Sequence, residues 1–446
     1  SIENCYGGYD TNNLDEKSGL YLYLSRGVVG GTFEAVAADI GTSSGDYGGG
    51  YAYTVCGILL EQSSRLAVAG HTVVLSGNGG AGAGFGGGGY AYSCKVSAEQ
   101  SEMLLHTLYI VTPQGGNSGS SSSAGEGGQI YGPSYDYSVV HLDQFSHILV
   151  KKNLNITARP SGYSATHPGD IYIDGMITVN ANSLLFVEND LIVEGPSSGS
   201  LTNTGVGADG GNVNIFISSH SELTVTGDFY AYAGLATGGA TGGYFLLAAS
   251  DASLLEVVGT IYITAGEGGE DVGDGGSSYL LFYGNSEFIL RDAEILGGDG
   301  GTSNADDGIT YIENHCGSKI VVLGELQLNE DDRDVLDQKH GTFVIYPCED
   351  ADFVMEGENS HQFSSVFLDC RNDTDSDDLS YSQPTGDGQS DFDCTPCDCG
   401  DDVADFESLC PEFLTPSPSP SAPSSTSPSS SLSSFSFILR LLSLFC

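Results

Sequence analysis

Basic residues are scarce in this sequence. Its 446 residues include 13 Lys and Arg against 59 Asp and Glu, which gives a formal net charge of −46. A nucleic-acid-binding protein needs a basic surface, so that class is excluded. The same field repels polyanionic substrates such as uronate polymers, which argues against enzymes that act on them.

Helical patterns and long apolar runs are also missing. No stretch has the apolar spacing of an amphipathic helix. Glycine, in contrast, reaches 64 residues, about twice its usual share, without the period of collagen. We therefore expect it in turns, and as a source of flexibility in loops such as 115–119. Hydrophobic residues make up 39 %, which is enough for a buried core.

The composition changes after residue 411. A Pro/Ser linker covers 412–434, and an apolar tail of 12 residues that includes Arg440 covers 435–446. The tail is too short to span a bilayer, which takes about 20 residues. This order resembles a GPI-type lipid-anchor signal, and a disordered tail with an adhesive end is the alternative.

The start of the chain and its sequons are typical of secretion. The chain begins Ser1-Ile2-Glu3, as a mature protein would after removal of a signal peptide. Two sequons predict glycosylation at Asn155 and Asn372. We therefore expect an extracellular or cell-surface protein that meets the membrane only through a C-terminal lipid anchor.

Eleven cysteines are present, several of them in an acidic region at 366–411. The run Cys-Thr-Pro-Cys-Asp-Cys at 394–399 fits a zinc knuckle or a disulfide-stapled cap, and an oxidising compartment favours the cap. Cleavage of the tail would remove Cys446 and leave ten cysteines, an even number suited to pairing.

An internal repeat occupies the chain before residue 365. Nine segments align on one position, the anchor, which recurs every 32 to 45 residues. The residues two and four before each anchor are apolar in all nine copies, and the residue six before is Ser in eight. The anchors are Gly70, Thr107, Lys152, Asn189, Gly227, Gly259, Asp292, Gly324 and Gly357.

Alternation with period two predicts strands with one buried face. A second alternating stretch precedes most segments, as at 213–218 and 279–284. The unit is therefore strand, turn, strand, bend at the anchor, strand and glycine-rich loop, and stacked units make a β-solenoid. The serines stand six residues before the anchors, an even number like the inward apolar positions, so they should also point inward. We therefore expect their hydroxyl groups to form hydrogen bonds along a corner. The stretch 18–22 is interpreted as a degraded first copy.

These repeats resemble right-handed parallel β-helix proteins, the pectin-lyase-like architecture of surface adhesins and polysaccharide enzymes. The resemblance covers about residues 15–365 and identifies no single family. The expected fold is all-β, a parallel β-solenoid of about nine to ten rungs at 18–365 with Gly-rich loops. An N-terminal cap at 1–17 precedes it, and the Cys-rich cap and the disordered Pro/Ser tail follow.

The stacking register also predicts two disulfides. Cys316 and Cys348 follow the first strands of adjacent units, and so do Cys56 and Cys94. Stacked equivalents lie about 4.8 Å apart, within the Cα separation of roughly 4.4–6.8 Å that a disulfide tolerates. We therefore expect the pairs Cys316–Cys348 and Cys56–Cys94.

The chain does not match the catalytic patterns of β-helix enzymes. Lyases of this fold pair calcium-binding Asp with a catalytic Arg or Lys, but the cations here do not recur in one column. The hydrolase-like motifs Asp306-Asp307, His340-Gly341 and Asn372-Asp373-Thr374 occur in the wrong order, and no Arg-x-Lys follows. We therefore assign no catalytic residue.

Acidic loops in successive units are a candidate metal site. They partly match the calcium-binding pattern Gly-Gly-x-Gly-x-Asp, so structural calcium is the one cofactor considered. A solvated acidic face is the alternative. The candidate ligands are Asp271, Asp274, Asp299, Asp306 and Asp307.

These observations favour a secreted structural protein, a rod-like subunit of a coat, adhesin or filamentous appendage. Its expected partners are further copies in a fibre, other cell-surface proteins, or glycans. The alternative is a carbohydrate-binding or carbohydrate-cleaving β-helix that uses Tyr and Asp. A cleft with paired acids and a row of Tyr across several rungs would favour that alternative.

Overall fold

A computed structural model describes part of the chain, all of it within one compact unit, Ser1–Val403. The described residues are 18–41, 49–50, 56–83, 85–119, 127–133, 138–164, 168–173, 175–199, 207–270, 272–301, 305–314, 318–323, 326–328, 343–347, 352–355 and 367–368. Within these ranges every regular element is a strand and none is a helix, which confirms the all-β prediction. The caps, linker and tail lie outside them, apart from 367–368.

The strands follow one another in repeating groups. They are β1 (Ser18–Tyr23), β2 (Arg26–Val29), β3 (Phe33–Val36), β4 (Cys56–Glu61), β5 (Arg65–Leu75), β6 (Ala91–Tyr92), β7 (Lys95–Glu99), β8 (Glu102–Val111), β9 (Ile130–Tyr131), β10 (Val140–Asp143), β11 (His147–Val150), β12 (Leu154–Thr157), β13 (Ile171–Tyr172), β14 (Ile177–Val179), β15 (Leu184–Val187), β16 (Leu191–Glu194), β17 (Val213–Ile217), β18 (Glu222–Val225), β19 (Phe229–Tyr232), β20 (Phe245–Ala249), β21 (Leu254–Thr264), β22 (Ser278–Phe282), β23 (Glu287–Leu296), β24 (Thr310–Asn314), β25 (Lys319–Val322), β26 (Leu326–Leu328), β27 (Phe343–Pro347), β28 (Asp352–Met355) and β29 (Phe367–Leu368).

Strands from successive units pair in parallel. The first sheet has 11 strands in the order β1-β4-β7-β10-β14-β17-β20-β22-β24-β27-β29. The second sheet has 15 strands and contains the strands on both sides of the anchors from Gly70 to Gly324, and a third, small sheet has the order β13-β9-β6. Neighbours in all three sheets are parallel. Large parallel sheets with this order are consistent with a β-solenoid.

Apolar residues of successive units stack in columns between the sheets. In the second sheet Leu185 pairs with Leu223, Leu223 with Leu255, and Leu255 with Phe288. Full burial of each such side chain stabilises the fold by about 1.5–3 kcal/mol. Of the residues four before the nine anchors, eight have a described burial and all eight are buried, as predicted: Leu66, Met103, Ile148, Leu185, Leu223, Leu255, Phe288 and Ile320.

The predicted serine column is a continuous hydrogen-bonded ladder. The N–H of Ser146 donates to Ser183 Oγ at 3.1 Å, and the Oγ of Ser146 donates to the carbonyl of Asp143 at 2.6 Å. At this corner the hydroxyl supplies the acceptor that a buried N–H needs. The ladder joins Ser25, Ser64, Ser101, Ser146, Ser183, Ser221, Ser253, Ser286 and Ser318.

The interpretation of residues 18–22 as a copy of the Ser-led segments is wrong. Ser18 pairs with Cys56, so β1 corresponds to the strand that precedes such a segment. The ladder position belongs to Ser25, whose N–H donates to Ser64 Oγ at 3.1 Å. In residues 18–22, as in the Ser-led segments, apolar residues alternate after a serine. Only the pairing register of the strands distinguishes the two kinds of segment.

Sharp turns precede the ladder serines. Their residues adopt the left-handed conformation, with φ of 63° at Phe145, 62° at Asn182 and 58° at Ala252. This conformation costs a non-glycine residue roughly 1–2 kcal/mol. Bonds between units hold it in place, such as the one from the Phe145 N–H to the Ala181 carbonyl at 2.8 Å.

We expect Phe145→Gly to stabilise the protein by about 0.5–1 kcal/mol, because glycine adopts this φ without a steric penalty. The phenyl ring is 67 % exposed, so its removal loses little packing. Phe145→Ala is the control, since it removes the ring and keeps the strain. Denaturant unfolding followed by circular dichroism measures both, and equal midpoints for the two variants would contradict the explanation.

The glycine-rich segments form a hydrogen-bonded layer beside the sheets, here called the glycine layer. In it, segments leaving the second sheet bond to segments returning to the first. One chain of N–H to carbonyl bonds runs through Pro196, Gly211, Gly234, Gly243, Gly266, Gly276, Gly298 and Gly308. Another runs through Gly50, Gly80, Gly89, Gly116, Gly128, Gly162 and Gly169. The expectation that glycine makes 115–119 a flexible loop is therefore wrong.

Bonding in the glycine layer has a period of three residues. The N–H groups of Ala265 and Gly268 donate to the next unit, and those of Gly266 and Gly269 donate to the opposite segment. Three residues per turn is the period of polyproline II, which any residue can adopt. Glycine is needed here for space, because a Cβ on Gly266 would lie 1.9 Å from the Gly234 oxygen.

Candidate functional site

Four of the acidic residues proposed to hold calcium, Asp274, Asp299, Asp306 and Asp307, lie in the glycine layer, where the side chains of Asp274 and Asp307 accept backbone bonds. Asp274 Oδ1 accepts the N–H of Asp306 at 2.9 Å, and Asp307 Oδ1 accepts that of Gly300 at 2.7 Å. The first contact joins loops of adjacent units, as predicted, and the second joins the outgoing and returning segments of one unit. Among the described residues, no three His, Cys, Asp or Glu are grouped to hold a metal. Asp271 lies outside those residues, and calcium stays a prediction.

Other polar residues of the glycine layer cap backbone groups in the same way. Asp209 Oδ1 accepts the N–H of Thr241 at 3.0 Å, and Asn78 Oδ1 accepts that of Gln114 at 2.9 Å. The column Asp209, Thr241, Asp274 and Asp306 recurs at intervals of 32, 33 and 32 residues, like the anchors beside it. That spacing was the available sequence signal for the role of these acids.

A row of tyrosines crosses the third sheet. The rings of Tyr92 and Tyr131 are 5.0 Å apart, and those of Tyr131 and Tyr172 are 5.2 Å apart, both at 16°. Tyr172 Oη donates to Asp170 Oδ2 at 3.0 Å. Such a row was expected for the carbohydrate alternative. The rings, however, stack on one another, whereas a sugar packs against an open ring face.

The outer surface of the second sheet carries another group of tyrosines, which sequence reasoning missed. Tyr230 and Tyr262 pair in register, and their rings are 5.0 Å apart at 6°. Tyr232 lies two residues along β19 and is 41 % exposed. We call these tyrosines and their acidic neighbours Asp190, Glu194, Asp228 and Glu294 the Tyr–acid face. The available signal was Tyr three residues after the anchors Gly227 and Gly259.

Carboxylates surround the phenol groups of the Tyr–acid face. Tyr230 Oη donates to Asp228 Oδ2 at 3.0 Å, and this bond raises the pKa of Tyr230 to about 12. Burial raises the pKa of Tyr232, and the charges of Glu194 and Glu294 raise it further. The carboxylates therefore lie close enough to act on both hydroxyl groups.

No cation neutralises these carboxylates within the described part of the chain. The ion pairs there join Arg65 to Glu102, Arg291 to Asp292 and Lys319 to Glu287, and none reaches the Tyr–acid face. The face therefore combines aromatic rings with uncompensated negative charge.

The first sheet holds a histidine that should make stability depend on pH. Burial, and then the charge of Lys95, lower the pKa of His141 to about 4, against an opposing effect of Asp143. The folded protein therefore binds this proton less readily than the unfolded chain, whose His pKa is 6.5. The stabilisation is complete above pH 6.5 and is lost as pH falls towards 4.

We expect His141→Gln to remove part of the acid sensitivity between pH 6.5 and 4. One buried histidine contributes up to roughly 1.4 kcal/mol per pH unit. Unfolding midpoints at pH 7 and pH 4.5 measure the effect, and His220→Asn at an exposed turn is the control. The same loss of stability on acidification in wild type and His141→Gln would contradict burial as the cause.

The structure describes some of the residues in the predicted disulfides and glycosylation sites and leaves out others. Cys94 is disulfide-bonded, and the pairing of Gly57 with Lys95 places Cys56 beside it in the neighbouring unit. The partner itself stays a prediction. Asn155 lies between the fully buried Leu154 and Ile156 on the outer side of β12, where it is half-buried and its Oδ1 atom is buried. Its glycosylation stays a prediction. Cys316, Cys348 and Asn372 lie outside the described residues.

Comparisons with protein-family models, with curated proteins and with solved structures return no match for this chain. The resemblance to pectin-lyase-like proteins therefore stays an expectation about architecture. Within the described ranges, no helix has the length and apolar character needed to cross a membrane.

Proposed function

We propose that this chain is a secreted structural protein of the cell surface, a rod-like subunit of a coat, adhesin or filamentous appendage. We propose further that it is a right-handed β-solenoid of about nine to ten rungs. One observation carries the proposal: hydrogen bonds pass from unit to unit in the sheets, the serine ladder and the glycine layer alike. Such bonding suits a protein that holds its shape and presents a long surface.

Two further observations support an extracellular structural role. A disulfide at Cys94 fits an oxidising compartment. The glycine segments are packed against one another, so they add to the scaffold instead of forming an open lid over a cleft.

The carbohydrate-binding or carbohydrate-cleaving function is the second candidate. The observation that favours it is the bond between Tyr172, which is 47 % exposed, and Asp170 at the row of tyrosines. Binding of neutral oligosaccharides that is lost in Tyr172→Ala and kept in Tyr21→Ala would favour it over the structural role.

Electron microscopy tests the structural proposal. Immunogold labelling of intact source cells is expected on the outer surface, and purified protein is expected to form narrow rods on the order of 45 Å long. Label confined to the cytoplasm, or round particles, would contradict it.

We expect self-association, where it occurs, to increase with salt or millimolar Ca²⁺. A net charge of −46 opposes contact between copies, and screening or cation binding relieves that repulsion. Light scattering of the purified protein at low salt, at high salt and with Ca²⁺ measures it. A monomer under all three conditions would remove the fibre role and leave the adhesin role.

A further inference from the structure

We propose that the Tyr–acid face docks an extended basic polypeptide segment of a partner protein. This goes beyond the proposed structural role, because it names one surface and the chemistry of what binds there. The argument rests on the charge of the face, its aromatic rings and its dimensions.

The chemistry of the Tyr–acid face favours cations. Arg and Lys side chains form charge-assisted hydrogen bonds with carboxylates. Tyr is also common at the energetic centres of protein interfaces. Asp190 and Asp228 accept hydrogen bonds from the N–H groups of Asp228 and Thr260. Glu194 and Glu294 form no ion pair within the described residues, so these two carboxylates are the ones that a basic partner would neutralise.

The dimensions of the face fit an extended chain. Glu194 in β16 and Glu294 in β23 lie on either side of the tyrosines, with β19 and β21 between them. Glu194 is in register with Tyr232 and Glu294 with Tyr262, so the two are offset by two residues along the strands. Three strand spacings of about 4.8 Å and that offset of about 7 Å give a separation of roughly 16 Å, against about 13 Å from residue i to i+4 of an extended peptide, and long basic side chains span the difference. Basic residues at those two positions would reach the two glutamates, and the side chain at i+2 would lie over the tyrosines.

Other ligand classes fit this face less well. A bound metal would need clustered ligands, and no such group of three exists among the described residues. A sugar would need an open ring face, but Tyr230 and Tyr262 stack on each other at 5.0 Å. A basic segment needs neither, because its cations bind the carboxylates directly.

Fluorescence anisotropy with the full-length protein tests the proposal. The probe is a labelled extended peptide with two arginines four residues apart, and its twin carries glutamine at both positions. We expect the arginine peptide to bind and the twin not to bind. Failure of the arginine peptide to bind, or equal binding of both, would overturn the proposal.

Two charge-matched double variants separate local docking from attraction to the whole acidic chain. Glu194→Gln with Glu294→Gln should weaken binding about five- to tenfold. Glu61→Gln with Glu99→Gln changes the net charge equally in neighbouring strands of the first sheet, and should change binding less than about twofold. Equal weakening by both would assign the binding to bulk charge and overturn the proposal, as would displacement of the peptide by a neutral oligosaccharide. Either outcome leaves the structural role untouched.

Discussion

Gly266→Ala is expected to lower the free energy of unfolding by about 3 kcal/mol, because the new methyl group would overlap the backbone. Its Cβ would lie 1.9 Å from the Gly234 oxygen and 2.6 Å from the Gly243 nitrogen. Those atoms join in a 2.9 Å hydrogen bond, so neither segment can move aside without breaking bonds in the glycine layer. Denaturant unfolding followed by circular dichroism measures the loss.

Gly31→Ala is the matched control for this substitution. A Cβ there meets nothing within 4 Å, and the residue does not have a positive φ. We expect its free energy of unfolding to stay within about 0.5 kcal/mol of the wild type. Equal losses in the two variants would show that crowding in the glycine layer does not explain the effect.

Ser183→Ala is expected to cost about 1–3 kcal/mol, because it leaves the buried N–H of Ser146 without its acceptor. Hydrogen exchange should locate the effect, since the amide of Ser146 loses protection before amides in distant units do. The control is Ser219→Ala, at a turn outside the ladder, with an expected change below about 0.5 kcal/mol. Unchanged exchange at Ser146 would contradict the assigned role of the hydroxyl.

These expectations place the stability of the protein in contacts between units. In each unit, the strand edges, the ladder serine and the glycine segments form their hydrogen bonds with neighbouring units. The packing is therefore expected to tolerate changes at outward positions such as the Tyr–acid face, where side chains face away from the aliphatic columns. A docking surface can vary there without loss of the fold.

The sequence predicted the strands and their inward residues because one short pattern recurs in every unit. Leu185, Leu223 and Leu255 occupy the same position relative to their anchors, and a position that is always apolar is a buried position. The serine ladder followed from the same alignment, since Ser183 and Ser221 share that parity. For the candidate calcium ligands, the alignment placed Asp274 and Asp306 together, but it did not predict that Asp274 bonds the Asp306 backbone.

The repeat, the alternation within it and the all-β character could be predicted from the sequence alone, because they depend on residues close together in the chain. Other features depend on contacts between distant residues. The register of β1 and the role of Ser25 depend on which strands pair. The left-handed turn at Phe145 contains no glycine that would have predicted it, and it is stabilised by hydrogen bonds to the next unit. The glycine layer could be predicted only if one knew which segments face each other. Glycine is required at 266 because the backbone oxygen of Gly234, in the neighbouring unit, leaves no room for a Cβ.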